Sequence, residues 1–297
     1  MTDETPTRPN PASRTQLRAL FRGRGFRPRK QLGQTFLVDN NIAQKIVRAA
    51  ALTGAEPVLE VGPGAGAVTR LLAEQSRRVV AIEIDPILVS LLDETVGADV
   101  ETIHADFLKV DLAQILSSED RGSWRCVANL PYAITGPAIL RLLECAAWFD
   151  RMVIMVQQEV ADRLLAAPGS RTRGLLTVLA EASCVVSTAG TVSHRCFFPQ
   201  PKVDSTILVF TPRRPPLVPA GAQRHFEQIV KAAFSARRKT LLNALSQPLG
   251  LRLSKEETAR LLSQSAIEPT RRAESLSAED FLVITNRLLE LKATGEL

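Results

Sequence analysis

The chain has 297 residues, 45% of them hydrophobic, enough to bury a sizeable core divided between one larger domain and a small one. Lys and Arg outnumber Asp and Glu 37 to 31, a net charge of +6, and the excess is clustered in a way that suits a polyanionic partner. No stretch is apolar enough to span a membrane, no apolar signal core opens the chain, and its four cysteines lack metal-type spacing. Membrane, secreted-disulfide and zinc-enzyme classes are therefore disfavoured, and a cytoplasmic protein is expected.

Residues 1–28, rich in Pro, Thr, Arg and Gly, read as a flexible basic arm with one short helix at Thr15–Arg22. Seven basic residues fall between Arg14 and Lys30 with no acid among them, a run that points to nucleic acid. Order is expected from Arg29. Asp39 is placed to cap a helix whose apolar stripe is Ile42, Ile46, Val47 and Ala50. Strands and helices then alternate. Strands are predicted at 57–61, 78–83, 100–104, 124–128 and 151–156, with helices at 67–74, 86–95, 136–145 and 159–165. Further strands follow at 183–191 and 205–210. Short apolar runs joined by helices imply an α/β domain over 29–211, built on a parallel sheet covered on both faces, with the last two strands paired antiparallel at the edge. Residues 212–222 read as a Pro-rich linker. Beyond it, helices at 223–235, 239–244, 254–263 and 278–292 make a small all-helical domain over 223–297.

The chemistry sits at the carboxyl ends of the strands, where open α/β sheets bind ligands. Gly62, Gly64 and Gly66 lie between the first of these strands and its helix and let the backbone approach a ligand closely. Glu83 ends the second strand, where a carboxylate can accept both hydroxyls of a ribose. Asp106 follows the third, where a carboxylate can accept from an adenine amino group. The loop alone fits a nicotinamide dinucleotide as well as S-adenosylmethionine. The fourth strand end favours the methyl donor, because Asn129-Leu130-Pro131-Tyr132 offers no hydride chemistry. The Asn129 amide oxygen can accept one N–H of a base's exocyclic amine, and the Leu130 carbonyl, held by the fixed φ of Pro131, can accept the other. The Tyr132 ring can stack on that base.

These residues resemble the ribosomal RNA adenine dimethyltransferases of the small-subunit (16S) group from about Arg29 to the C-terminus. The landmarks are Gln34–Asp39, Glu60–Gly64, Ile82–Asp85, Asp106, Asn129–Tyr132, Phe197–Ser205, Arg237–Leu241 and Arg272–Phe281. The resemblance implies a Rossmann-like methyltransferase fold with a small helical domain, S-adenosylmethionine as methyl donor and no metal. It implies cofactor contacts at Thr35, Leu37, Gly62, Glu83, Asp106 and Asn129, with Gly64 in the same glycine loop. It implies base contacts from Asn129, Leu130 and Tyr132. Phe197 is implied as a second stacking face, although its sequence setting also suits a core aromatic. The family dimethylates N6 of two adjacent adenines in the 3′-terminal hairpin loop of 16S rRNA, late in small-subunit assembly. The implied partner is therefore 16S rRNA in the pre-30S particle, met by a monomer. The family pattern has Asn or His where Thr35 stands and Asn where Ala133 stands.

Arg237, Arg238 and Lys239, beside the small domain, are expected to bind rRNA phosphate. Two other readings share the scaffold: the large-subunit (23S) rRNA adenine methyltransferase of the macrolide-resistance type, and a non-catalytic ribosome-assembly factor. The segments 197–205 and 272–281 favour the small-subunit group over the first, and the intact Gly62, Glu83, Asp106 and Asn129 argue against the second. A DNA adenine methyltransferase usually carries Pro where Leu130 stands.

Overall fold

The computed structural model describes residues 8–29, 33–97, 99–119, 121–236, 238–247, 251 and 253–296, with the backbone alone at Tyr132. The chain divides into two compact units. The first comprises residues up to Ala161 together with Ser187–Thr211, and the second comprises Asp162–Val186 and Pro212–Leu297.

The first unit opens with helix α1 (Arg14–Gly23), strand β1 (Phe36–Leu37) and helix α2 (Asn40–Ala50). Asp39 caps α2 as its position predicts, its Oδ1 accepting from the amides of Asn41 at 2.9 Å and Ile42 at 3.1 Å. Then come β2 (Pro57–Val61), α3 (Thr69–Gln75), β3 (Arg78–Glu83), α4 (Pro86–Thr95) and β4 (Val100–His104). Asp85 caps α4, with Pro86 at the first helical position, where its missing N–H costs nothing. The order continues with α5 (Leu112–Leu116), β5 (Trp124–Asn129), α6 (Thr135–Glu144), β6 (Phe149–Gln157), α7 (Gln158–Leu164), α8 (Leu175–Ser183), β7 (Cys184–Val192), β8 (Phe197–Phe198) and β9 (Ser205–Pro212).

Seven strands form one sheet in the order β4-β3-β2-β5-β6-β9-β7. Strands β2 to β6 are parallel, and β9 runs antiparallel to β6, with Met152 opposite Phe210 and Gln157 opposite Ser205. Both faces are covered. Val58, Val79, Ala81, Val127 and Val153 join a core cluster with Ala43, Ile46 and Val47 of α2, while the alternating residues Leu59, Val80, Cys126, Ala128 and Ile154 are also buried. From β2 the chain winds outward through β3 to β4 and returns on the other side at β5. The ends of β2 and β5 therefore flank the crevice where such sheets take ligands. β1 and β8 make a separate antiparallel pair, with Phe36 opposite Phe198 and Leu37 opposite Phe197.

The second unit is helical. It contains α8, α9 (Gln223–Phe234), α10 (Leu241–Leu245), α11 (Lys255–Gln264) and α12 (Ala278–Ala293). Phe226, Ile229, Leu241, Leu245, Leu261, Phe281 and Ile284 are among its buried residues. Ser254 with Glu257 and Ser277 with Asp280 form capping boxes at the starts of α11 and α12. Arg173 is fully buried there, donating to the carbonyls of Leu276 at 2.9 Å and Ala166 at 2.8 Å and pairing with Glu181.

Three features differ from the sequence reading. The basic arm is not loose over its described part: Leu17, Leu20 and Phe21 of α1 and Phe26 beyond it are buried against Phe36, Leu88 and Leu91. The helical unit claims 162–186, a stretch that the sequence places in the α/β domain, because α8 packs on α9 and α12. Residues of the expected linker are tied down, the amides of Arg213 and Leu217 donating to the carbonyls of Ser183 and Ala182.

Candidate active site

A cavity of about 210 Å³ opens at the switch point of the sheet. Its walls come from five places: the segment Gly33–Leu37, the end of β2 with its glycine loop, the end of β3, the turn after β4, and the turn after β5. Every residue expected to hold the cofactor lines it: Thr35, Leu37, Gly62, Gly64, Glu83, Asp106 and Asn129. Leu130 lines it too.

The glycine loop is shaped by backbone that other residues adopt at a cost. Gly64 has φ +59°, and a Cβ there would stand 3.2 Å from the Phe36 ring. Gly66 has φ +90° and lies against the end of α4, where a Cβ would meet Val96 Cγ2 at 2.7 Å. Glu83 braces this loop. Its Oε2 accepts from the Gly64 amide at 3.1 Å, and its Oε1 accepts from the amides of Ile84 and Asp85, both at 2.9 Å. Burial raises the Glu83 pKa, and these three N–H groups oppose the rise. Asp106 makes the Asx turn that its position allows, Oδ1 accepting from the Leu108 amide at 3.0 Å, while Oδ2 lies 3.6 Å from the exposed Lys109 ammonium. The Gly33–Leu37 wall is anchored by Gln34, which donates to Asp85 Oδ2 at 3.3 Å.

The turn after β5 is rigid. Pro131 has φ −57° and ψ 135°, and its carbonyl accepts from the Ile134 amide at 3.1 Å and the Thr135 hydroxyl at 3.2 Å. Among the described residues no donor or acceptor engages the Asn129 side-chain amide, and no donor reaches the Leu130 carbonyl. Both residues line the cavity, and neither of these two acceptors has a protein partner among the described residues.

Sequence reasoning passed over Glu60. It stands in the middle of β2 at 3% exposure, lines the cavity, and its Oε2 has no hydrogen-bond partner among the described residues. Burial pushes its pKa up to about 8, with the Glu83 charge adding to the rise and Thr69 opposing it. The available signal was one charged residue inside an otherwise apolar parallel strand. The described lining thus holds three carboxylates, Glu60, Glu83 and Asp106, and no basic side chain. That charge balance suits a ligand bearing cationic groups. A diphosphate in the same place would face the acids.

Other expected residues fall elsewhere. The Phe197 ring is 1% exposed and belongs to the core cluster with Leu37, Val192 and Ile207, so it presents no open face to a base. Its core-aromatic reading is the one the packing supports. The expected Tyr132 stacking ring lies outside the described residues, as does Arg237. Arg238 and Lys239 are exposed in the turn before α10, whose first residue is Leu241 rather than Lys239. Among the described residues no group of three or more His, Cys, Asp or Glu side chains is placed to hold a metal ion.

A profile of the family described as ribosomal RNA adenine dimethylase matches residues 25–290. A protein of Geobacter metallireducens named ribosomal RNA small subunit methyltransferase A is 41% identical over 273 residues, covering 91% of this chain and 99% of that protein. A Geobacillus protein of the same name is 40% identical, covering 91% of this chain and 95% of its own. Among solved structures, a dimethyladenosine transferase from Plasmodium falciparum superposes with a TM-score of 0.73 at 26% identity, covering 87% of this chain and 98% of that one. A 23S rRNA methyltransferase superposes with a TM-score of 0.63 at 28% identity, covering 85% and 99%.

Proposed function

The chain belongs to the ribosomal RNA adenine dimethylase family, and from that premise we infer that it is an S-adenosylmethionine-dependent methyltransferase that dimethylates adenine N6 in 16S rRNA. The observation that carries this reading is a pair of acceptors without a partner among the described residues, Asn129 amide and Leu130 carbonyl, at a cavity lined by Glu60, Glu83 and Asp106. The small-subunit assignment is supported by relatives named for the small subunit at 40–41% identity over 91% of the chain, and among solved structures by a TM-score of 0.73 for the dimethyladenosine transferase against 0.63 for the 23S enzyme.

The residues present fit the methyl donor. Glu60, with an orphaned carboxylate oxygen in the wall, complements a cationic group and gains a reason to ionise when one arrives. Glu83 retains acceptor capacity for ribose hydroxyls, since each of its oxygens has further lone-pair room beside the amides it already accepts. Asp106, at the cavity wall, is proposed to accept from an adenine amino group, and Gly62 and Gly64 to let the backbone lie close. Bound there, S-adenosylmethionine supplies an electrophilic methyl group on sulfur.

What the protein does to the target base follows from Asn129 and Leu130. The amine of adenine is a poor nucleophile because its lone pair is delocalised into the ring. Accepting its two N–H bonds at the Asn129 oxygen and the Leu130 carbonyl draws the nitrogen toward tetrahedral geometry and localises that lone pair. Both acceptors stabilise the positive charge that develops on nitrogen as it attacks, so rate enhancement comes from positioning and electrostatics rather than a covalent enzyme adduct. Proton loss afterwards is easy and calls for no histidine. Tyr132 is proposed to stack on the extruded base, worth about 1–3 kcal/mol. The target must leave its own stack, which is least costly in a loop.

At finer detail, the proposed substrate is the pair of adjacent adenines in the 3′-terminal hairpin loop, met in the pre-30S particle in the cytoplasm by a monomer. Arg238 and Lys239, with Arg237 beside them, are proposed to hold rRNA phosphate. The test is transfer of labelled methyl from S-adenosylmethionine to small subunits lacking the modification. Four methyl groups per subunit, on two adjacent adenines, is the expected result, and no incorporation into small-subunit rRNA would overturn the reading.

A further inference from the structure

The basic segment before β1 is an amphipathic helix with two tasks on its two faces. The buried face carries Leu17, Leu20 and Phe21. The Phe21 ring meets the Phe36 ring edge-on at 4.8 Å between centroids, and Phe26 approaches Phe36 at 5.9 Å. Phe36 is a wall of the cavity, so α1 is seated directly behind the site. Along one flank of the buried face run Arg14, Arg18 and Arg22, four residues apart and therefore in one line, with Arg14 half-buried and Arg18 and Arg22 exposed.

That line is fastened in position. Arg14 donates to the carbonyls of Arg195 at 2.7 Å and Phe197 at 3.1 Å. The Arg18 guanidinium sits over the Phe198 ring, 5.4 Å from its centroid. Phe197 and Phe198 form β8, which pairs with the cavity-wall strand β1. The arginine line therefore runs along the strand next to the wall of the site. It has no acid on its own helix. Arg24 is neutralised by Glu94 at 2.5 Å, and Arg29 lies 3.9 Å from Asp85. Arg18, Arg22 and Arg27, by contrast, are exposed and have no acid in ion-pair range among the described residues.

We propose that the exposed face of α1 with the adjoining Arg27 is a second RNA-binding surface, which grips the phosphate backbone of the strand flanking the target adenine. The proposal rests on the rRNA-methylation reading above. The arrangement is economical in entropy: the helix is already ordered by its phenylalanine contacts, so arginines set on it lose less freedom on binding than they would on a loose tail. Guanidinium groups spaced along one line match a run of phosphates better than they match a compact anion.

The experiment uses the full chain with Arg18, Arg22 and Arg27 all replaced by Gln, and a second variant with all three replaced by Lys. Binding of 16S rRNA, methyl transfer to small subunits and binding of S-adenosylmethionine are measured between 50 and 250 mM salt. For the Gln variant the expected result is a rise of about tenfold or more in Kd and KM for RNA and a salt slope shallower by about 2, from three lost phosphate contacts. Cofactor affinity is expected to stay unchanged, and the Lys variant to recover most of the RNA affinity. Unchanged RNA affinity and salt slope in the Gln variant would overturn the proposal. So would a parallel loss of cofactor affinity, because the helix would then be acting only as packing behind Phe36. Failure of the wild-type chain to methylate any rRNA would instead count against the functional reading, and the binding measurements would still decide the α1 surface.

Discussion

Replacing Glu60 by Gln removes one buried ionisable group while keeping its shape, and the structure sets the sign and size of the response. The folded, ligand-free protein holds this carboxyl at a pKa of about 8, against an ordinary value of 4.5. Folding therefore takes up a proton between those two pH values, and the stability of the wild type falls as pH rises through that window. Below pH 4.5 the group contributes no difference. Above pH 8 the penalty is complete, on the order of 5 kcal/mol. Gln carries no such term, so its stability relative to wild type should rise by roughly 3 kcal/mol between pH 6 and pH 9. Ligand binding responds in the opposite sense. A cationic ligand favours the ionised form, so wild-type affinity for S-adenosylmethionine should strengthen as pH climbs toward 8, with release of up to one proton on binding. Urea denaturation across pH reads the first effect. Calorimetry in two buffers of different ionisation enthalpy reads the second. A stability difference independent of pH, together with cofactor binding that releases no proton in wild type, would show that Glu60 is not held protonated in the folded protein.

Asn129→Ala should bind S-adenosylmethionine within a few-fold of wild type yet lose on the order of 10²–10³ in methyl transfer, by single-turnover assay; an active variant would show that the amine is held elsewhere. Replacing Arg238 and Lys239 by Ala should weaken rRNA binding and make the salt slope shallower by about 1 to 2, measured by filter binding. Gly66→Ala combines φ +90° with contacts of 2.7 Å to Val96 Cγ2 and 2.9 Å to Thr95 Oγ1. Its expected cost is about 2–5 kcal/mol in urea denaturation.

The central strands that build the site were readable because they are buried on both faces and largely apolar. The apolar run is 79–82 in β3 and Val58-Leu59 with Val61 in β2, whereas the edge strand Val100–His104 is only partly buried and shows Val100 and Ile103 among polar residues. Helix α8 was not readable for the same physical cause turned around. Thr177, Val178, Leu179, Ala180 and Ala182 are all buried, so no polar face marks a 3.6-residue period. α5 is only five residues long, and the β1–β8 pair joins two-residue strands 160 residues apart, which no local pattern announces. The arm misled through composition. Its Pro, Gly and Arg content outweighed three apolar residues, Leu17, Leu20 and Phe21, whose partners lie on β1 and α4. That Gly62, Glu83, Asp106 and Asn129 gather at one cavity could be read from strand ends alone. Phe197 could not, because only the packed cluster reveals which way its ring turns.

Mass spectrometry of rRNA from cells lacking this protein reads the methylation itself. N6,N6-dimethyladenosine is expected to disappear from 16S rRNA and to return with the wild-type chain but not with Asn129→Ala. Dimethyladenosine persisting in 16S rRNA and lost from 23S rRNA would contradict the 16S assignment.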